Sequence, residues 1–180
     1  KFVELLEDKM HVVTISSPLD YRHVQIKGLA QMYHYPLGAS AEQFIDEVIK
    51  RICTDTKPHT HAMSVQGRQI VFTRYDHAIG RFTFKELCET PLGAADYLAL
   101  ASRLHTVILT DIPKLSAEKR NEAKRFVTLI DALYEHKVKL ISTAAVSMKE
   151  IYSEGDGAFE FQRTISRLIE MQSKQWIERE

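Results

Sequence analysis

Two arginines, Arg163 and Arg167, stand four residues apart in FEFQRTISRLIEMQS, a stretch with helical spacing. Residues four apart share one helix face, and like charges placed so oppose the helix by about 0.2–0.5 kcal/mol. Glu170 can relieve Arg167, but only Glu160 stands near Arg163. The pair is therefore either a solvated face or a surface that meets an anionic ligand or partner. On the residues alone both readings stay open.

Asp111 ends the apolar run HTVILTD. Ligands of open α/β sheets bind beyond the carboxyl ends of strands, where a carboxylate can hold Mg²⁺ or a water. An apolar strand closed by Asp resembles a magnesium-binding Walker B strand. ATPases usually follow that Asp with Glu, whereas Ile112-Pro113 follows here, and no G-x-x-x-x-G-K-[ST] occurs in the 180 residues. The plain alternative is an Asp that ends a strand and begins a turn. His59 and His61 in KPHTHAM offer two imidazoles without a third ligand nearby. Cys88 in ELCETPLG would be a nucleophile only if a distant His activated it, and is otherwise a small buried hydrophobe. Lys119, Arg120, Lys124 and Arg125 could meet phosphate, but Glu118 and Glu122 interleave with them, as on a salt-laced solvent face.

Composition narrows the classes. Hydrophobic residues are 44% and charged residues 27% of the chain, within the globular range. The formal net charge is zero, so no bulk electrostatic argument favours nucleic acid or an anionic membrane as partner. Cys53 and Cys88 are the only cysteines and lie far apart, which suits free thiols in a reducing compartment. No apolar run approaches the ~20 residues of a membrane span. KFVELLEDKM has helical spacing but no start signal, so the chain reads as cut from a longer one.

The spacing predicts a helix over 2–9 and a strand over 11–16, then an irregular segment through DYRHVQIKGLAQMYHYPLG. Ser40-Ala-Glu-Gln43 has capping-box form, predicting a helix over 41–52 that buries Phe44, Ile45, Val48 and Ile52. β-branched and aromatic residues broken at Gln66-Gly67 and at 76–80 predict a three-strand meander near 61–65, 69–74 and 81–84. A helix over 92–102 should start at Thr90-Pro91. HTVILTD and VKLISTAA are apolar strands around a long helix capped by Ser116, with Ala123, Phe126, Val127, Ile130, Leu133 and Tyr134 on one face. Together they predict a right-handed βαβ unit with parallel strands. Ser147-Met-Lys-Glu150 is a second capping box. A last helix over 161–177 presents Phe161, Ile165, Leu168, Ile169, Gln172 and Trp176, and turns Arg163, Arg167, Glu170 and Lys174 away.

FEFQRTISRLIEMQS, GDGAF before it and RNEAKRFVTLIDALYEHKVKLISTAA before that closely resemble the ending of the ZapE family of AAA-type ATPases, bacterial cell-division ATPases to which the lactation-elevated ATPases of mitochondria are similar. ELCETPLGAADYLALASRLHTVILTDIP and VVTISSPLDYR follow the same pattern, so the resemblance spans essentially the whole chain. It implies an α/β chain that is the C-terminal half of a longer protein. Residues 1–58 would be a remnant of the P-loop ATPase core with a connecting helix, 59–84 a small antiparallel meander, and 85–180 an α/β region with the βαβ unit and C-terminal helix. The Walker motifs would lie upstream, with ATP and Mg²⁺ bound there, and this chain alone would be inactive. It also implies a cytoplasmic protein, or one on the mitochondrial matrix side in a eukaryotic relative. The parent would remodel a protein partner, in bacteria the FtsZ division ring, and this chain's own partners would be its upstream ATPase half and further copies in a homo-oligomer. AAA-type rings set arginines from a lid or a neighbouring subunit against the γ-phosphate, which makes Arg163 and Arg167 candidate trans-acting or sensor residues. The rival role pins the last helix through carboxylates such as Asp111 or Asp131. From another class, the chain would be a non-catalytic module that recruits a client to the ATPase.

Overall fold

The computed structural model describes residues 29, 31–75 and 78–178. The helix and strand expected over 2–9 and 11–16 lie outside the described residues. Among the described residues six strands form one mixed sheet: β1 (Tyr33–His34), β2 (His59–Val65), β3 (Arg68–Tyr75), β4 (Ile79–Thr83), β5 (Thr106–Ile112) and β6 (Lys139–Ala144). Their order is β1-β6-β5-β4-β3-β2; β1, β6, β5 and β4 run parallel, and β3 and β2 add antiparallel. The meander therefore continues the same sheet that carries the βαβ strands.

Alternation along β5 shows why it lies centrally. Val107 and Leu109 enter one hydrophobic cluster while Ile108 enters the other, and all three are fully buried. Successive strand side chains point to opposite faces, so a continuous apolar run needs a layer on each side. One layer is α1 (Ala39–Ile52), whose Ile45, Val48, Ile49 and Ile52 pack on Ile108 and Ile141. The opposite layer holds α2 (Ala94–Ala101), α3 (Arg120–Glu135) and α4 (Ala158–Met171), through residues including Tyr97, Leu100, Phe126, Leu129, Leu133, Phe161 and Leu168. A short helix α5 (Lys174–Ile177) follows, with the Ser173 hydroxyl accepting from the Trp176 N–H at its start.

Several element ends differ from expectation. Helix α1 starts at Ala39 on Gly38 (φ 131°), whose carbonyl accepts from the N–H groups of Ala41 and Glu42. Ser40 is inside the helix, 3.2 Å from His34 Nε2, and caps nothing, while Phe44 is half-buried and stacks on His34. A π turn over Lys85–Glu89 ends at Thr90, and α2 begins only at Ala94, where the Asp96 carboxylate accepts from the Gly93 N–H. Ser116 precedes a 3₁₀ turn but makes no side-chain cap. The last helix starts three residues earlier than the spacing implied and divides at Gln172-Ser173; Ile169, assigned to its apolar stripe, is half exposed. The Ser147–Glu150 box does form, around a single 3₁₀ turn. Gln66 (φ 47°) and Gly67 (φ 81°) are both left-handed, the requirement of the tight turn that joins β2 to β3.

Gly80 lies where β4 meets two stacked rings. A Cβ there would come within 2.8 Å of Phe82 Cε2 and Leu104 Cδ1 and 3.2 Å of Phe72 Cε2. Valine favours strands, yet the overlap should outweigh that gain. Gly80→Val is expected to lower unfolding free energy by about 1–3 kcal/mol, read from the urea midpoint; an unchanged or raised midpoint would contradict the packing.

Candidate functional site

Asp111 leaves the buried strand at a bulge. Leu109 pairs with Ser142 but Ile112 with Ala144, so β5 carries one residue more than β6 over this span. Asp111 absorbs the extra residue at φ 63°, a left-handed conformation that costs a non-glycine residue about 1 kcal/mol or more. The bulge turns the carboxylate out of the sheet, where Thr110 Oγ1 donates to Oδ2 at 2.8 Å. The Asp111 N–H donates to Thr143 Oγ1 at 3.2 Å, tying the end of β5 to β6. A crevice of about 90 Å³ opens there, lined among others by Gly38 and Glu42 of the α1 start, Arg81 of β4, Thr110, Asp111 and Thr143.

These residues do not fit ATP with Mg²⁺. Ligand pockets run to roughly 300–1,000 Å³, well above the space present. Helix N-termini welcome phosphate through free N–H groups and the positive end of the dipole, but the first turn of α1 carries Glu42 into the lining. Among the described residues no lysine lines the crevice, and Arg81 is its one cation.

The two arginines separate. Arg167 is only 12% exposed: one guanidinium nitrogen bonds Asp131 Oδ1 and the other Glu135 Oε1 at 3.0 Å, both on α3. Its Cζ lies 4.7 Å from the centre of the Tyr134 ring, which stacks on Trp176 at 4.5 Å and donates its hydroxyl to Glu170 at 2.7 Å. The Trp176 carbonyl accepts from the buried Lys139 ammonium at 2.7 Å. Arg167 thus belongs to a clamp joining α3, α4, α5 and β6, and not to a face turned to solvent. Asp131 is its partner and Asp111 is not. Arg163 is exposed, with no ion pair or hydrogen bond to the described residues, and borders a groove of about 480 Å³ that also holds Phe159 and Val127. Phe159, one turn before Arg163, is 87% exposed.

The other candidates have structural surroundings. Lys119 reaches Glu89 and Glu122 at 3.5 and 3.7 Å, Arg120 pairs with Asp156 at 2.8 Å, and Arg125 donates to the Cys88 carbonyl, while Lys124 is exposed. His59 meets Asp55 at 3.3 Å, and His61 sits edge-on to Phe72. Cys88 is fully buried, and that burial pushes its thiol well above the usual range. Arg81, Thr143 and Phe159 escaped the sequence reading. Each left a signal: a lone arginine in an apolar strand, a hydroxyl ending another, and an aromatic outside the helical stripe.

The model of the AFG1-like ATPase family matches residues 1–180. An uncharacterized Schizosaccharomyces pombe protein is 36% identical over 205 residues, covering 97% of this chain and 45% of its own length. Lactation elevated protein 1 homolog B of Danio rerio is 28% identical, with 98% of this chain and 42% of the relative covered. Cell division protein ZapE of Escherichia coli K12 is 29% identical, with 99% and 47% covered. The chain thus spans somewhat under half the length of these relatives. No solved structure matches.

Two outcomes follow from the geometry. Arg167→Ala strands Asp131 and removes the cation from Tyr134, and should cost about 2–3 kcal/mol, whereas Arg163→Ala should stay within about 0.5 kcal/mol. Equal losses on chemical denaturation would refute the division of roles. A thiol whose folded pKa is raised stabilises the fold below its unfolded value, about 8.5, and that stability is lost as pH climbs beyond it. Cys88 should accordingly resist iodoacetamide at pH 8 in the native protein and react fully in urea, as mass spectrometry of its peptide would show; rapid native labelling would contradict the burial.

Proposed function

Because this chain belongs to the AFG1-like ATPase family, we propose that the whole protein hydrolyses ATP with Mg²⁺ and that this chain contributes Arg163 to a triphosphate held elsewhere. The observation that carries the reading is the contrast on α4. Arg167 is consumed in bracing the helix, while Arg163, one turn away, has no ion-pair partner among the described residues and stands on the mount so formed. Phosphoryl transfer spreads negative charge over the γ-phosphate oxygens, and a fixed guanidinium aimed at them is worth on the order of 10³–10⁵ in rate when delivered by a lid or a neighbouring subunit. Arginine suits the task because its planar fork stays charged and can make two parallel hydrogen bonds.

The catalytic core would then lie in the part of the relatives' length that this chain does not span, with hydrolysis spent on remodelling a protein partner. One relative is named a cell division protein, which supports looking for that partner in the division machinery. A second reading has an observation of its own. Phe159 stands almost fully exposed beside Arg163, and exposed aromatic and arginine residues are the usual anchors of protein interfaces. On that reading α4 recruits a client and touches no nucleotide.

Turnover of the full-length protein separates the two. The arginine role predicts that Arg163→Ala lowers kcat by about a hundredfold or more, that Arg163→Lys restores little, and that the melting temperature holds. Unchanged turnover in Arg163→Ala, with client capture lost in Phe159→Ala, would replace it with the recruiting role.

A further inference from the structure

The chain from β1 onward winds about its sheet in a specific way. β1 leads into α1 on one face, whereas β4, β5 and β6 lead into α2, α3 and α4 on the other. The direction of winding reverses between β1 and its neighbour β6, which makes that place the topological switch point. Open α/β sheets bind ligands there, outside the carboxyl ends of the strands. The Asp111 crevice lies at this point.

The elements around it occupy the places of a phosphate site, with several of the parts altered. A P-loop joins a strand to a helix through G-x-x-x-x-G-K-[ST]. Here β1 runs through Tyr35-Pro36-Leu37 to Gly38-Ala39-Ser40 at the start of α1, so glycine and serine flank an alanine where the motif has lysine. The connection from His34 to Ala39 holds four residues, too few for the motif's loop. Asp111 closes the central strand, where such folds keep the metal carboxylate, and Thr143 supplies a hydroxyl from the next strand. Two replacements act against phosphate: Ala39 leaves no ammonium, and Glu42 adds a carboxylate at the dipole end that would bind an anion. Arg81 lines the same crevice and is the one cation among its described lining residues.

We infer that residues 33–178 are themselves laid out as a P-loop-type core, whose phosphate crevice has been shut to nucleoside triphosphates by a shortened loop, a missing lysine and Glu42. The whole protein would then carry two cores of one design, with a single nucleotide site. The ATPase reading enters only in placing that one site elsewhere.

Counting nucleotides tests this. Full-length protein saturated with a fluorescent ATP analogue and Mg²⁺ should bind one per chain, and photolabelling with 8-azido-ATP should mark no peptide from residues 33–45 or 106–112. Two per chain, or label on those peptides, would overturn the inference. Zero per chain would leave the shut crevice standing and remove the ATPase reading instead. Glu42→Ala and Arg81→Ala should each keep ATP turnover within about twofold; a tenfold loss would place the crevice in the working site and overturn it.

Discussion

Strand β5 meets apolar layers on both faces, and this double burial organises the rest of the molecule. Within it Val107, Ile108 and Leu109 leave no room for a charge, so the one exposed ionisable group of the strand emerges at its carboxyl end. The bulge at Asp111 is the device that releases it, and the strained φ is tolerated because Thr110 and Thr143 hold both the side chain and the backbone N–H. A two-sided core also dictates that α1 and the α2–α4 layer sit on opposite faces. The reversal of winding beside β1, and with it the crevice, follows from that separation.

The opposite layer handles charge differently. Arg167 loses most of its contact with water and recovers it from two carboxylates and a ring face. An arrangement of this kind adds modest net stability but strongly penalises removal of one member. Its value lies in position. With Thr164, Ile165 and Leu168 buried beneath it and Trp176 stacked behind Tyr134, α4 has little freedom to roll, so whatever Phe159 and Arg163 present is presented at a fixed angle.

Much of this was legible from the chain itself. The apolar runs of β5 and β6, the 3.6-residue period of α3 and the Gln66-Gly67 turn are local patterns, and each appears in the structure where the pattern put it. The family was legible as well, because long ordered strings carry more information than short motifs. Local patterns failed where a distant partner decided the outcome. The burial of Arg167 depends on Tyr134 and Asp131, more than thirty residues away, and spacing within α4 could not reveal it. Strand β1 has two residues, too few for any period, so the continuity of the sheet and its switch point stayed hidden inside an apparently irregular segment. Ser40 looked like a cap because its sequence context matched; Gly38 does that work through its backbone instead.

On the proposed reading this chain holds no triphosphate of its own and acts on one through Arg163. The most direct measurement is a structure of the whole protein with a non-hydrolysable ATP analogue. The account predicts a guanidinium nitrogen of Arg163 about 3 Å from a γ-phosphate oxygen, with Arg167 still on Asp131 and no analogue beside Asp111. An analogue seated beneath Gly38 and Asp111, or Arg163 pointing into solvent far from every phosphate, would contradict it.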